Sequence, residues 1–157
     1  MLDDLLGRVL SEDDDPALRH VGLGMLLASA HDRAREIMNA GLRPLGIDVR
    51  GLCMLIALEL YGPSSQRRLI DLSGIDKSTM VRVIDDLETG GLVHRERAPN
   101  DRRAYSITLT NDGERALTNG RQVAIDVGDH LFGDFAPPER DGFVGLLRRL
   151  ADRPGLP

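Results

Sequence analysis

The stretch 76–109 constrains the fold more than any other part of the chain, because the period of its apolar residues changes midway. Four apolar residues recur at the spacing of one buried helical face: Met80, Val83, Ile84 and Leu87. Asp76 is a favourable N-cap for such a helix, and two glycines at 90–91 provide a permissive end. The pattern therefore predicts a helix that is bounded on both sides.

The period becomes two after this helix. Apolar and polar residues alternate from 105 to 109, as in a half-buried strand, and a shorter basic run occupies 92–97. The Pro-Asn-Asp sequence at 99–101, between the two runs, is typical of a turn. We therefore predict a β-hairpin with Arg102 and Arg103 at or near its tip.

Most of the remaining chain is predicted to be helical. Helical spacing or start signals are found in five further segments: 17–40, 47–61, 66–72, 111–132 and 137–150. The helix at 66–72, with Leu69 and Leu72 expected to point inward, joins the central helix through a tight turn at 73–75. The predicted fold class is mainly α with a small β-hairpin. The first helix and the last two have apolar faces that a domain this small cannot cover, so we expect a homodimer.

Bulk composition limits the class of protein. The 157 residues suffice for one domain with a core, and the single cysteine, Cys53, cannot form an intrachain disulfide. No segment resembles a signal peptide or approaches the roughly 20 apolar residues of a membrane span, so we expect a cytoplasmic protein without a membrane partner. The net charge of −5 disfavours a nucleic-acid partner. Segment 65–103, however, has eight basic and seven acidic residues, so the net charge of the rest of the chain is −6.

A helix in a DNA major groove reads base edges through the exposed side chains of its N-terminal half. In the central helix these are Lys77, Ser78, Thr79, Val81 and Arg82. Arg82 is the candidate for a bidentate contact to guanine, and Val81 suits a thymine methyl group. The alternative is that Arg82 is a solvated residue paired with Asp85 or Asp86 on its own helix.

The predicted hairpin adds a second set of DNA contacts. Arg102 and Arg103 are expected to enter a minor groove, while Asp101 is expected to fix the shape of the turn. Further DNA contacts, mostly to phosphates, are expected from six residues: Ser64, Ser65, Gln66, Arg95, Arg97 and Asn100.

Several short motifs resemble the MarR family of transcriptional regulators. They are Leu-Gly-Ile at 45–47, Ile-Asp-Lys-Ser-Thr-Met-Val-Arg at 75–82, Leu-Glu at 87–88, Gly-Leu-Val at 91–93, Asp-Arg-Arg-Ala at 101–104 and Leu-Thr at 109–110. The resemblance covers about 42–117, and its most specific part is the recognition helix followed by an Asp-x-Arg motif. The chain departs from the family at Val81, where Thr or Ser is common, and at Ile70, where a small Ala is common.

The resemblance implies one domain over 1–157, with a winged helix-turn-helix at 46–110 and dimerisation helices at 1–42 and 111–157. It also implies a homodimeric regulator, usually a repressor, on a pseudo-palindromic operator in double-stranded DNA. A small effector, frequently aromatic or phenolic, often lowers DNA affinity in this family by binding between the dimerisation and DNA-binding regions. A winged-helix module for protein interaction and a cysteine-based redox-sensing regulator remain alternatives.

Effector and catalytic residues are harder to read from the sequence. Cys53 lies in an apolar helical run and is expected to be a buried, inert thiol. The effector site is not identified, and the candidates for it are Cys53 and His31, which lies beside Asp32. The four histidines lack metal-ligand spacing, so neither a metal nor a cofactor is expected. The chain has no phosphate loop, no nucleophile elbow and no His-Glu-x-x-His motif, so we do not expect an enzyme.

Overall fold

The computed structural model describes residues 6, 7, 9, 15–98 and 101–154, with side chains for all of these except 98 and 101–104. From residue 15 onward the described chain forms six α-helices and one hairpin in this order: α1 (Pro16–Leu42), a 3₁₀ turn (Arg43–Leu45), α2 (Val49–Tyr61), α3 (Gln66–Ser73), α4 (Lys77–Thr89), β1 (Val93–Ala98), β2 (Asp101–Leu109), α5 (Asn111–Phe132) and α6 (Pro137–Ala151). The predicted mainly helical class with a small hairpin is confirmed.

Capping side chains set the helix bounds. The Asp15 carboxylate accepts a hydrogen bond from the Ala17 amide (2.8 Å), so α1 begins at Pro16. The Asp48 carboxylate accepts from the Gly51 amide (2.8 Å), and α2 therefore begins two residues later than we predicted. At its other end, α1 continues to Leu42, two residues beyond the predicted end at 40. A Cβ at Gly41 would lie 2.7 Å from the side chain of Val123, so this glycine allows close packing of α1 on α5.

Helix α2 lies at the centre of the fold and packs against α1, α3, α4, α5 and β2. The apolar face predicted for α4 is buried against it, as expected. Leu69 of α3 is fully buried, but Leu72 is 44% exposed, so the prediction that both point inward is wrong for Leu72. Leu72 lies in the last turn of a short helix and borders an open groove instead.

The turn between α3 and α4 depends on a glycine. Gly74 has φ of +67°, in the left-handed region, and its amide donates to the Ile70 carbonyl (2.9 Å). The chain then reverses within three residues, and Asp76 starts α4. The predicted helix-turn-helix is confirmed in this part of the chain.

The hairpin is antiparallel and pairs Val93 with Leu109 at its base, with an irregularity between Arg97 and Ala98 near its tip. Ile107 is buried, whereas Tyr105 is half exposed, so the alternation predicts only part of the buried face. Ser64 adds a third, one-residue strand: its amide donates to the Ile107 carbonyl (3.1 Å), and its carbonyl accepts from the Ile107 amide (2.9 Å). These bonds fix the hairpin to the segment before α3.

The outer helices leave much apolar surface uncovered. Large apolar side chains of α1 are exposed at Val21, Leu23, Leu26 and Leu27. In α6 no residue is buried, and Val144, Leu146, Leu147 and Leu150 are all exposed. Helix α6 contacts α5 through a cluster of three phenylalanine rings, at 132, 135 and 143, whose centroids lie 5.9–6.2 Å apart. Among the described helices, none is both long and apolar enough to cross a membrane.

Candidate nucleic-acid interface

The first turn of α4 is held by the carboxylate of Asp76. It accepts hydrogen bonds from the Thr79 amide (3.0 Å) and from the Ser78 hydroxyl (2.5 Å). These bonds, first of all that from Ser78, hold the pKa of Asp76 well below its usual range. The Ser78 hydroxyl is thus oriented by the cap, and its oxygen lone pairs remain able to accept.

The predicted base-reading residues lie on the outward side of α4. Lys77, Ser78, Val81 and Arg82 are exposed, and Thr79 is half-buried. Their side chains emerge from two turns of a helix whose opposite face is locked into the core. The structure therefore brings the predicted set together on one accessible surface.

Arg82 is not engaged by its own helix. Its guanidinium makes no hydrogen bond or ion pair with any residue that the structure describes, although Asp85 and Asp86 follow at helical spacing. Asp85 is instead bound by Arg95 of β1. The alternative of an ion pair between Arg82 and either aspartate is therefore not observed, and the Arg82 guanidinium stays accessible to solvent.

Arg95 ties the hairpin to α4. Its guanidinium forms ion pairs with Glu88 and Asp85, and its backbone amide donates to Glu88 (3.1 Å). Burial acts to lower the pKa of Arg95, but the hydrogen bonds and charges of Asp85 and Glu88 outweigh it and raise the pKa. The guanidinium of Arg95 therefore already has two carboxylate partners, and its contact with phosphate stays a prediction.

Residues before α3 divide into structural and accessible groups. Ser64 is buried, and its hydroxyl donates to the Gly62 carbonyl (3.0 Å), so the expected phosphate contact from this side chain is wrong. The Ser65 hydroxyl is exposed and caps α3 by accepting from the Arg68 amide (3.2 Å). Gln66 is half-buried at the first position of that helix. Ser65 and Gln66 therefore remain at a helix N-terminus, where amides favour phosphate.

The tip of the hairpin carries the remaining predicted contacts. Arg97 is exposed on β1, with its guanidinium 5.6 Å from the centre of the Tyr105 ring. Asn100 lies outside the described residues, and so do the side chains of Asp101, Arg102 and Arg103. The backbone of 101–103 belongs to β2, which agrees with the predicted place of these residues at the start of the second strand.

The effector candidates from the sequence are not brought together. His31 is exposed on α1, and Cys53 is exposed on α2, so the expectation of a buried thiol is wrong. Cys53 is exposed because it lies on the side of α2 that faces an apolar groove with Tyr61, Leu72 and Ile75. Partial burial of the thiol, and then the charge of Asp48, raise the pKa of Cys53. Within the described residues, His, Cys, Asp and Glu form no cluster suited to a metal ion.

A second groove was not predicted from the sequence. It lies where the connection between α1 and α2 faces α4, and it is lined by Arg43, Arg50 and Arg82. These residues come from three different elements, so no spacing in the sequence could reveal them as a group. The structural signal that points to this groove is that Arg82 has no hydrogen-bond or ion-pair partner in the part of the chain that the structure describes.

Comparisons with known proteins agree with this arrangement. The sequence model of the protein family described as MarR family matches residues 45–104. The chain is 28% identical over 130 residues to the HTH-type transcriptional repressor NicR of Pseudomonas putida, covering 83% of this chain and 82% of NicR. It is 34% identical over 86 residues to a Thauera aromatica protein named for transcriptional regulation of the hcr operon, covering 55% of this chain and 52% of that protein. The chain thus aligns with only about half the length of the latter relative.

Solved structures give the same result over most of the chain. BpsR of Bordetella bronchiseptica, whose DNA binding is regulated by 6-hydroxynicotinic acid, is 29% identical with a TM-score of 0.74, and the match covers 83% of this chain and 98% of BpsR. A MarR mutant from E. coli in complex with operator DNA is 22% identical with a TM-score of 0.78, covers 87% and 99% of the two chains, and supports the fold alone. Residues 45–104 thus match the MarR family, and the chain is similar over most of its length to winged-helix transcriptional regulators of that family.

Proposed function

We propose that this protein is a homodimeric repressor that binds a pseudo-palindromic operator through α4 and the hairpin. The observation that carries the proposal is the guanidinium of Arg82, which lies on the exposed half of α4 and has no partner among the described residues. An exposed guanidinium on a helix can stay solvated at little cost in free energy, but in a major groove it can donate hydrogen bonds to the two acceptors of guanine. Val81, which is 38% exposed beside it, suits a thymine methyl group.

The uncovered faces of α1 and α6 support the homodimer. Exposed leucines and valines follow one another along both helices, and a groove of about 480 Å³ is lined by Phe132, Phe143 and Leu147. Monomeric proteins seldom expose apolar surface on this scale. A second copy with two-fold symmetry would cover it and would place two recognition helices about one DNA turn apart, roughly 34 Å.

A binding assay tests the operator contacts. Fluorescence anisotropy would be measured with a labelled duplex from the protein's own upstream region and with a scrambled duplex of equal composition. We expect wild-type protein to prefer the upstream duplex and to lose affinity steeply between about 50 and 200 mM salt. Arg82→Ala should cost about 1–3 kcal/mol on the upstream duplex and little on the scrambled one.

Arg103→Ala provides the comparison, since a minor-groove or phosphate contact should weaken both duplexes more evenly. Equal losses for Arg82→Ala on both duplexes would contradict base reading by Arg82. If wild-type protein bound no upstream fragment at low salt, the repressor proposal itself would fail.

The proposal includes control by a small-molecule effector. The control of BpsR by 6-hydroxynicotinic acid supports it, as do open grooves on both sides of α2. Adding 6-hydroxynicotinic acid, together with a panel of other aromatic acids and phenols, to the anisotropy assay is the direct test. At least one member of the panel should release the upstream duplex at a concentration that leaves the protein dimeric, and a panel without effect would count against effector control.

A further inference from the structure

The hairpin leaves the body of the protein between Ile107 and Tyr105. Ile107 is 1% exposed, whereas Tyr105, two residues closer to the tip on the same face of β2, is 50% exposed. Tyr105 lies directly opposite Arg97 of β1, and the guanidinium of Arg97 lies over its ring, 5.6 Å from the ring centre. The two side chains therefore form a cross-strand pair on the accessible part of the hairpin.

This face of the hairpin is turned toward α4. Side chains alternate along a strand, so Arg95 and Arg97 share one face of β1, and the register is regular as far as Arg97. Arg95 forms ion pairs with two carboxylates of α4, those of Asp85 and Glu88. Arg97 and Tyr105 therefore lie between the exposed side of α4 and the tip of the hairpin.

Three acidic side chains near this face pair with other groups. Asp85 and Glu88 bind Arg95. Glu96 points to the opposite face of β1, where its carboxylate lies 2.6 Å from Nε2 of His94. The Tyr105 ring attracts a guanidinium through the negative potential of its π face and carries no formal charge. The ring thus holds the Arg97 guanidinium without adding negative charge to the surface beside α4.

A sugar-phosphate backbone separates each major groove of DNA from the adjacent minor groove. In the proposed complex α4 enters a major groove and the tip of the hairpin enters a minor groove. The backbone between these grooves must then cross the surface between α4 and the tip, which is the surface that Arg97 and Tyr105 occupy. The planar fork of an arginine matches the oxygens of a phosphate.

We propose that Tyr105 is a positioning residue that holds Arg97 against this phosphate backbone. This role rests on the proposed DNA-binding function and adds to it a residue outside the contacts expected from the sequence. A long arginine side chain loses rotamer freedom when it binds a phosphate, and the contact with the ring removes part of that freedom before DNA binds. The hydroxyl of Tyr105 is not needed for this role.

The experiment uses the full-length protein with the upstream and scrambled duplexes, and anisotropy would be measured at several salt concentrations. The variants are Arg97→Ala, Tyr105→Ile, Tyr105→Phe and the double variant of Arg97→Ala with Tyr105→Ile, each checked for folding by circular dichroism. Tyr105→Ile removes the ring but keeps a side chain that strands favour, whereas Tyr105→Phe removes only the hydroxyl. Arg115→Ala is the matched charge control, because Arg115 lies on α5 and pairs with Asp112.

We expect Arg97→Ala to weaken binding to both duplexes and to reduce the slope of log affinity against log salt by about 0.9 for each protomer bound. Tyr105→Ile should weaken both duplexes by about two- to fivefold for each protomer, as expected for an exposed cation–π pair. Tyr105→Phe and Arg115→Ala should bind like wild type. The double variant should bind no more weakly than Arg97→Ala alone, because the ring acts only through the guanidinium.

Three results would overturn the inference. An unchanged salt slope for Arg97→Ala would mean that Arg97 contacts no phosphate. A loss for Tyr105→Ile that persists in the Arg97→Ala background, or an equal loss for Tyr105→Phe, would show that Tyr105 does not act by holding the guanidinium. Wild-type protein that binds neither duplex at low salt would reject the inference together with DNA binding. Equal wild-type affinity for both duplexes, with the variants behaving as expected, would support the inference and reject only sequence-specific repression.

Discussion

The ion pairs of Arg95 should stabilise the contact between the hairpin and α4 by a measurable amount. The side chain of Arg95 is 23% exposed, against 37% for Glu88 and 53% for Asp85, so the cation is mostly covered while its partners face water. Fully exposed pairs contribute about 0.2–1 kcal/mol, and hydrogen bonds to charged groups about 1.5–3 kcal/mol. Discounting the latter for solvent screening, we expect Arg95→Met to destabilise the protein by about 1–2 kcal/mol.

A double-mutant cycle isolates this contact from the packing of the Arg95 stem. Arg95→Met, Glu88→Gln and the double variant would be unfolded in urea at one protein concentration, because a dimer gains stability with concentration. We expect a coupling energy of about 1 kcal/mol between Arg95 and Glu88 at low ionic strength, and a smaller one in 1 M salt. The denaturant dependence should not change, since little surface exposure is altered.

Arg115 and Asp112 provide the control pair, because both side chains are at least 60% exposed on α5. Their cycle should give a coupling energy of at most about 0.5 kcal/mol. A coupling between Arg95 and Glu88 no larger than this control would refute the reasoning. The hairpin would then be fixed by Ser64 and by its apolar base, and not by charge.

Three further predictions concern the cap, a glycine and the thiol. The hydrogen bonds of Asp76 lower its pKa in the folded protein. Its contribution to stability is therefore present above the unfolded pKa of about 3.9 and is lost as the pH falls. The difference in unfolding free energy between wild type and Asp76→Asn should be constant above about pH 5 and shrink in acid. Gly113→Ala should cost about 1–3 kcal/mol in thermal or urea unfolding, because a Cβ there would overlap the Leu92 carbonyl, whereas Gly128→Ala in the same helix meets open space and should be neutral or stabilising. Iodoacetamide should alkylate Cys53 more slowly than a free thiol at pH 7 and faster as the pH approaches 9, because its pKa is raised; rapid labelling at pH 7 followed by mass spectrometry would contradict this.

The helices and the hairpin were predictable because their signals are local. The period of four apolar residues placed α4 correctly, and capping side chains at Asp76 and Thr110 mark helix starts that the sequence also indicated. Helix bounds were less predictable where a distant contact decides them. Gly113 and Gly120 weaken the helical pattern of α5, and Gly41 lies beyond the predicted end of α1, yet each lets a helix approach a neighbour that lies far away in sequence.

The accessible set of site residues was only partly predictable, because exposure and pairing are tertiary properties. Ser64 and Arg95 have side chains that suit phosphate, but hydrogen bonds to Gly62 and ion pairs to α4 occupy them. Cys53 was expected to be buried because its neighbours along the helix are apolar, yet its own position faces outward. No sequence pattern indicates that Arg43 and Arg50 lie on one groove with Arg82.

The pairing of Arg95 also bears on how an acidic chain can present a cation on the face of α4 that we propose binds DNA. Asp85 and Asp86 follow Arg82 at the spacings where helical ion pairs form, and either pair would partly neutralise the recognition face. Arg95, from the next strand, binds Asp85 and Glu88 instead, so these two carboxylates are turned toward the hairpin, while Asp86 stays exposed. The contact that fixes the hairpin on α4 is therefore the same contact that removes Asp85 as a partner for Arg82. The position of the hairpin and the charge on the exposed face of α4 are in this way coupled.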